Sequence, residues 1–342
     1  MRRNRSDRRP DGLTAGRTVI ALLMLAAGPS ARPAVGQDQP LNAGALFLVF
    51  PVGAQSVGMG QTAIAAAGRG EAAFWNPAGL ATLGEDEFAL HSATLVAGRS
   101  HVLGAYFPSR GIGVIGGAVY LVDYGDLDRT DNNGQTIARI APRNFEFLAT
   151  YATSLGGSFV LGVSYKLIQF RVDCSGDCRD FPAGTGATHA LDFGGQFRVG
   201  PGGPLRVGVA LRNVGFRLQV QNQAQADPLP TRLAVGAQYE LRLRPATGRT
   251  LDQAFDLKLA ADVDSPWGEV GQSETRFGID IGYQRLVRLR AGYAFVQEGL
   301  SGPSVGIGVE SGSLGIDLAR AFLTGSELQA ESPTFFSFRV TF

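Results

Sequence analysis

The chain has 342 residues, of which 44% are hydrophobic and 18% are charged, and its formal net charge is +1. This balance lacks the excess of positive charge that a nucleic-acid-binding protein presents to phosphates, so nucleic acid is excluded as a partner. After residue 36 no run approaches about 18 consecutive apolar residues, which excludes membrane-spanning helices.

The first 36 residues have the order of a secretory signal peptide. An arginine-rich start precedes the apolar run from Val19 to Ala27, and small residues follow at Ala34-Val35-Gly36. We predict cleavage between Gly36 and Gln37, which removes seven arginines and two aspartates and leaves a formal charge of −4. Arg8-Arg9 also allows a twin-arginine signal, although the residues after it are not the apolar ones that such a signal carries.

Residues 37–86 are predicted to form a compact, hatch-like segment. They are rich in glycine and alanine, and apolar and polar residues do not alternate there. The segment contains two motifs, Phe-Pro-Val-Gly-Ala-Gln-Ser-Val-Gly-Met-Gly at 50–60 and Phe-Trp-Asn-Pro-Ala-Gly-Leu at 74–80. Asn76 before Pro77 predicts the start of a helical turn, because the asparagine side chain caps free N–H groups and proline lacks the surplus donor.

From residue 87 to residue 342 the sequence alternates apolar and polar residues, which predicts β-strands with one apolar and one charged face. In one strand, Phe255, Leu259 and Val263 are separated by charged residues such as Asp256 and Lys258. We count about fourteen such segments, starting near residues 87, 99, 112, 143, 159, 187, 205, 231, 254, 274, 286, 303, 314 and 334.

A soluble sandwich also alternates, but two further features favour a closed transmembrane antiparallel β-barrel in the bacterial outer membrane. The segment count is even, as is usual in bacterial barrels. The connections alternate between tight turns at 108–111, 155–158, 200–203 and 311–313 and long links at 123–142, 172–186, 214–230 and 323–333. Short periplasmic turns and long outer loops are typical of these barrels. The long link at 244–253 breaks this rule.

The last strand ends on an aromatic residue. Its apolar face consists of Phe336, Phe338, Val340 and Phe342. This pattern resembles the sorting signal that the outer-membrane barrel assembly machinery reads. We therefore expect that machinery and outer-membrane lipid as partners.

The polar faces of the strands are predicted to point into the lumen. They carry charges of both signs, which we expect to form cross-strand ion pairs that hold the hatch-like segment. The predicted network contains Lys166, Asp192, Arg232, Glu240, Asp256, Lys258, Asp262, Arg276, Asp280, Arg288, Arg290 and Arg339. Six tyrosines fall on the opposite parity and are predicted to face lipid: Tyr106, Tyr151, Tyr165, Tyr239, Tyr283 and Tyr293.

No combination of residues indicates catalysis, a cofactor or a metal. Cys174 and Cys178 are the only cysteines, and they are predicted to form a disulfide in an exported loop. A metal site would need more ligands than these cysteines and His189 supply. The other histidines, His91 and His101, lie outside any nucleophile motif. We therefore expect no enzyme, no metal and no cofactor.

The two N-terminal motifs, followed by about fourteen strands, resemble the PorV/PorQ family of outer-membrane proteins, which are relatives of the FadL-type transporters. The motif residues are Gly53, Ala54, Gly58, Met59, Gly60, Trp75, Asn76, Pro77, Ala78, Gly79 and Leu80. The sequence departs from the family at Gly68-Arg69-Gly70-Glu71, where adjacent acidic residues are common.

This resemblance implies a barrel with an N-terminal segment in its lumen and a non-enzymatic role in protein secretion or surface presentation, of type IX character. Secretion-system components and exported proteins would then be partners. The alternative that the resemblance leaves open is a FadL-like transporter for hydrophobic small molecules such as fatty acids.

Overall fold

The structure is a computed structural model. It describes residues 44–179, 184–200, 202–218, 226–243, 255–267, 272–284, 286–296, 301–322 and 332–342. The predicted signal peptide, the first residues of the hatch-like segment and the link at 244–253 lie outside the described residues. The limits predicted for these segments therefore stay predictions.

Fifteen antiparallel strands are found in the described part of the chain, and fourteen of them close a barrel. The barrel closes where β1 pairs with β15 and where β3 pairs with β5. The strands are β1 Glu87–Leu95, β2 Gly98–Ser109, β3 Gly113–Asp123, β4 Leu127–Thr130, β5 Thr136–Ser154, β6 Phe159–Gly176, β7 Gly184–Arg198, β8 Leu205–Gly215, β9 Arg232–Leu243, β10 Phe255–Pro266, β11 Glu274–Tyr283, β12 Val287–Phe295, β13 Gly302–Ser311, β14 Leu314–Ala321 and β15 Thr334–Thr341.

The predicted fold class is confirmed, with one error in the connections. The link predicted at 123–142 holds β4 and the first residues of β5, which pair as a hairpin from Leu127 opposite Ile140. Most side chains of β4 are exposed. Because neither face of β4 is buried as a lumen face is, its sequence does not alternate and was not recognised as strand.

The wall of the barrel has an apolar outside and a polar inside. On β10, Phe255 and Val263 are each 46% exposed, whereas Asp264, which points to the opposite face of the strand, is fully buried. This arrangement is the reverse of that in a soluble barrel and suits a wall in contact with lipid. The chain is thus an outer-membrane barrel, and its short turns mark the periplasmic end.

None of the helices among the described residues is long and apolar enough to cross a membrane.

One predicted lipid-facing residue is wrong. Tyr106 is only 1% exposed and points into the lumen with Ser100, Val102 and Gly104. Both faces of β2 are largely apolar, so the alternation there does not identify the inner face. Tyr151 and Tyr165 lie on the outer face, as predicted.

Residues 44–86, which we call the plug, consist of short helical turns rather than strands. The turns are Leu46–Val49, Ala54–Gly58, Ala72–Trp75 and Pro77–Thr82. Asn76 caps the last turn, because its side chain accepts a hydrogen bond from the backbone N–H of Ala78 at 3.1 Å. The plug lies against the inner faces of the strands: the Ala54 N–H donates to Ser337 on β15, and Asp262 on β10 accepts from the N–H groups of Ala63 and Ile64.

Inward-facing glycines line the wall where the plug backbone approaches it most closely. A side chain at Gly292 would overlap the backbone of Gly60, and one at Gly208 would overlap the carbonyl of Ile64. A side chain at Gly162, Gly278 or Gly306 would likewise meet plug backbone, one at Gly194 would meet the Asn76 side chain and the Ala78 N–H, and one at Gly236 would meet Ile64 and the plug-binding Asp262. These glycines let the plug backbone pack directly on the strand backbone. We call these seven residues the glycine belt.

Candidate functional site

The lumen around the plug has a charged side and an apolar side. The charged side, on β10 to β15, is a continuous chain of ion pairs that begins in the plug. Its links are Arg69–Glu310 at 2.6 Å, Glu310–Arg339 at 2.6 Å, Arg339–Asp317 at 2.9 Å, Asp317–Arg290 at 2.6 Å, Arg290–Asp280 at 3.0 Å, Asp280–Arg288 at 2.8 Å and Arg288–Asp256 at 2.7 Å. Each buried charge has an opposite partner, as the low polarity of a plugged lumen requires.

A second ionic cluster holds the plug's tryptophan. Asp264 pairs with Arg212 at 2.6 Å and with Arg232 at 2.9 Å. The guanidinium groups of Arg212 and Arg276 lie 5.6 and 5.9 Å from the centre of the Trp75 ring. Arg276 also pairs with Asp264 and Glu274. Cation–π contacts of this kind add to the packing of Trp75 in the lumen.

A third ionic group is fully buried between β5, β6 and β7. Lys166 lies 2.8 Å from Asp192 and 3.6 Å from Glu146. It also donates a hydrogen bond of 2.8 Å to Asn213. Two carboxylates therefore share one ammonium group.

The apolar side lies between the plug and strands β2, β3, β5 and β6. Plug residues such as Phe47, Phe74 and Leu80 pack there against inward-facing wall residues. The wall residues run from Val114 at the periplasmic end to Val122 at the outer end. Further members are Val102, Tyr106, Tyr120, Leu148, Ala152 and Ile168. The apolar contact is thus continuous along the height of the barrel.

A small cavity lies where the apolar side meets the ionic groups. Its volume is about 10 Å³, which is room for about one water molecule. The plug contributes Leu48, Phe50, Phe74 and Trp75, and the wall contributes Tyr120, Glu146, Lys166 and Arg212. Phe74 meets the Tyr120 ring edge to face, with centroids 6.1 Å apart.

The plug carries one buried carboxyl group, in the segment where the sequence departs from the PorV/PorQ pattern. Glu71 accepts a hydrogen bond of 2.7 Å from the Ser56 hydroxyl. Burial is the largest effect and raises the pKa of Glu71 to about 7, although the Ser56 hydrogen bond opposes this rise. Asp317 also raises the pKa, whereas Arg290 and Arg339 lower it.

All the motif residues lie in the plug, and their contacts are structural. Gly53 and Gly60 have positive φ angles of 92° and 68°, which favour glycine. Gly58 contacts the Gly306 backbone, and the Trp75 indole donates to the Val52 carbonyl at 2.9 Å. Asn76 donates to the carbonyl of Ile64 at 2.7 Å. The remaining motif residues, Ala54, Met59, Pro77, Ala78, Gly79 and Leu80, are buried.

The predicted charge network is divided among the three ionic groups above. Asp262 instead binds plug N–H groups, as described. Glu240 accepts a hydrogen bond of 2.9 Å from Gln238, and Lys258 lies in register between Glu240 and Asp280.

Seven charged residues of these groups lie outside the predicted network: Arg69, Glu146, Arg212, Asp264, Glu274, Glu310 and Asp317. Glu146 and Asp264 lie on inward-facing strand positions, so alternation was a usable signal for them. Arg69 and Glu71 lie in the plug, where no periodicity marks an inner face.

The predicted disulfide between Cys174 and Cys178 is present. Among the described residues, no group of His, Cys, Asp and Glu is arranged to hold a metal ion. His91 is buried and contacts the Ser337 hydroxyl at 2.8 Å, and His189 contacts the Tyr165 hydroxyl on the outer face.

Comparison with known proteins shows similarity in structure only. No protein-family model and no curated protein matches the sequence. The toluene transporter TodX of P. putida has a TM-score of 0.55 and 13% identity, over 89% of this chain and 99% of that one.

Two further barrels match comparably. The toluene transporter TbuX of Ralstonia pickettii has a TM-score of 0.53 and 15% identity, over 85% of this chain and 98% of that one. The monoaromatic hydrocarbon channel CymD has a TM-score of 0.54 and 15% identity, over 85% and 97% of the two chains. At these identities the likeness shows the fold alone, a closed antiparallel outer-membrane barrel.

Proposed function

We propose that this protein is an outer-membrane channel that admits small hydrophobic compounds. The observation that carries the proposal is the apolar side of the lumen, which is continuous from the outer end to the periplasmic end of the barrel. An apolar molecule crossing there would exchange one hydrocarbon contact for another. It would not have to separate ion pairs, which is costly in a buried lumen.

The two sides of the lumen suit different tasks. On the charged side and along the glycine belt, the plug is held by the Arg69–Glu310 ion pair, by the hydrogen bonds of Asp262 and by backbone contact. On the apolar side it meets the wall through side chains, which change rotamer at little cost compared with breaking a buried salt bridge. Small displacements of the plug's apolar side chains would therefore open a path there first.

The structural neighbours support the same proposal. The proteins of similar fold are described as transporters of toluene and channels for monoaromatic hydrocarbons. The surroundings of Asn76 agree, because its partners are backbone groups and not a charged surface.

Secretion of exported proteins, of PorV/PorQ type, remains the second candidate. The two N-terminal motifs, the chain length and the charged lumen favour it, but packing of the plug accounts for the motif residues. A pull-down from native membranes tests it: recovery of secretion components or exported cargo would support it over uptake.

The uptake proposal is tested by changing one side of the lumen at a time. Ile168 is fully buried on the apolar side, and Asp256 belongs to the charged side. An amide in the apolar path adds a barrier of about 1–3 kcal/mol, so Ile168→Asn should slow entry of labelled toluene into proteoliposomes by about tenfold. The control Asp256→Asn should leave the rate unchanged, since Arg288 keeps Asp280 as a partner.

Folding of each variant is checked by the heat-dependent gel mobility of the barrel. If the unaltered protein admits toluene no faster than empty liposomes, the proposal is refuted. Equal loss of entry in both folded variants would show that the apolar side is not the path.

A further inference from the structure

We propose that Glu146 and Arg212 make the lumen cavity selective for small aromatic molecules that carry a hydroxyl group, over hydrocarbons of the same shape. This inference rests on the proposed function and narrows its substrate class. It is carried by the side chains that line the cavity at the meeting point of the apolar side and the ionic groups.

The apolar lining suits an aromatic ring. Phe50, Phe74 and Trp75 from the plug and Tyr120 from β3 border the cavity together. Aromatic side chains prefer offset or edge-to-face contacts with a further ring. Such a lining recognises the body of a small aromatic molecule, but it does not by itself distinguish toluene from a phenol.

Glu146 supplies an acceptor that the protein leaves largely unused. The residue is 1% exposed, and its Oε1 lies 3.6 Å from Lys166 Nζ, beyond hydrogen-bonding distance. Among the described residues this oxygen has no hydrogen-bond partner. Lys166 itself is satisfied by Asp192 and Asn213, both at 2.8 Å. A buried carboxylate in this state favours a ligand that donates a hydrogen bond.

Arg212 supplies a donor in the same cavity. Its Nη2 is engaged by Asp264 at 2.6 Å, whereas its Nε is buried without a partner among the described residues. A hydroxyl group both donates and accepts hydrogen bonds, so it matches Glu146 and Arg212 together. A carboxylate cannot donate, an ammonium group cannot accept, and a methyl group does neither.

Part of the plug must move before an aromatic ligand can enter, because the cavity has room for only about one water molecule. The turn Leu46–Val49 differs from the other three plug turns because it neither touches the glycine belt nor takes a hydrogen bond from a described wall side chain. Side-chain hydrogen bonds from the wall to the plug backbone reach Ala54, Gly60, Ala63 and later residues, and none in the described part of the chain reaches this turn. We infer that this turn moves aside while the rest of the plug stays on the glycine belt.

The test compares p-cresol with toluene, two ligands that differ only by the hydroxyl group. The chain has two tryptophans, and Trp75 borders the cavity whereas Trp267 is 60% exposed. In a Trp267→Phe background, quenching of Trp75 fluorescence therefore reports binding in the cavity of the full chain. We expect p-cresol to bind at least about tenfold more tightly than toluene, as in sites built to bind a hydroxyl.

Glu146 variants separate the carboxylate from the ring contacts. Glu146→Leu should abolish the preference for p-cresol, and Glu146→Gln, which keeps an acceptor, should retain part of it. The exposed Asp128→Asn serves as the matched control and should change nothing. Measuring all variants in the same micelles corrects for partition of the ligands into detergent.

Each outcome tests either the hydroxyl selectivity or the proposed function. Equal affinity for p-cresol and toluene in the unaltered cavity overturns the hydroxyl selectivity and leaves the proposed function standing, and this comparison needs no Glu146 variant. A preference for p-cresol that survives in folded Glu146→Leu protein also overturns it. Binding of neither ligand, together with no entry into proteoliposomes, refutes the proposed function itself.

Discussion

Replacing Glu71 by glutamine should remove a pH dependence from the stability of the plugged barrel. The pKa of Glu71 rises from 4.5 to about 7 in the folded protein. A raised carboxyl pKa means that the folded state binds the proton more tightly than the unfolded state. The favourable contribution is therefore complete below about pH 4.5 and is lost as the pH rises to about 7. At about 1.4 kcal/mol per pH unit, the loss amounts to about 3 kcal/mol.

Urea unfolding of the refolded protein in micelles, at several values between about pH 5 and about pH 8, measures this effect. The unfolding free energy of the unaltered protein should fall relative to Glu71→Gln across this interval, because glutamine keeps the hydrogen bond from Ser56 without a charge to desolvate. Glu85→Gln, at an exposed position, is the control and should follow the unaltered protein. Parallel curves for Glu71→Gln and the unaltered protein would refute the reasoning about burial.

Three further predictions concern the plug and the outer hairpin. Gly292→Ala should lower the unfolding free energy by about 1–3 kcal/mol, because its side chain would overlap Gly60; Gly195→Ala, whose side chain meets only ordinary contacts, should cost little in the same urea titration. Arg69→Met should lower the unfolding free energy by no more than about 1 kcal/mol, since its ion pair with Glu310 is partly exposed. A larger loss in the same urea titration would contradict this. Cys174→Ser should speed proteolysis near the outer end of β6 and leave the unfolding midpoint of the barrel unchanged.

Alternation predicted the strands well where one face meets lipid and the other meets the polar lumen. On β10, Phe255 and Val263 face lipid, and Asp262 and Asp264 face the ionic lumen. The two requirements reinforce each other along the strand. Where one of them disappears, the signal fails: β4 has water on both sides, and the inner face of β2 is apolar because the plug covers it with apolar side chains.

The charge groups were predicted as a set but not as pairs. Alternation identifies which face a residue occupies, whereas pairing depends on register and on the reach of long side chains. Arg290 illustrates this limit, since it pairs with Asp280 on the neighbouring β11 and also with Asp317 on β14, two strands away. Arg69 and Glu71 could not be placed at all, because their positions follow from how the plug sits in the lumen.

The glycine belt was an available signal that alternation alone left unused. On β12, inward-facing charges at Arg288 and Arg290 are followed at the next inward position by Gly292. A glycine at an inward position has no role in contacting lipid and weakens the strand, so a bulky neighbour must approach it there. Gly292 is in register with Gly278 and Ser304, which leave room for the plug backbone, whereas Gly282 and Gly308 are in register with Asp256 and Asp317, whose carboxylates occupy the space. Inward glycines that lie beside small residues on the neighbouring strands therefore predict an internal plug independently of any motif.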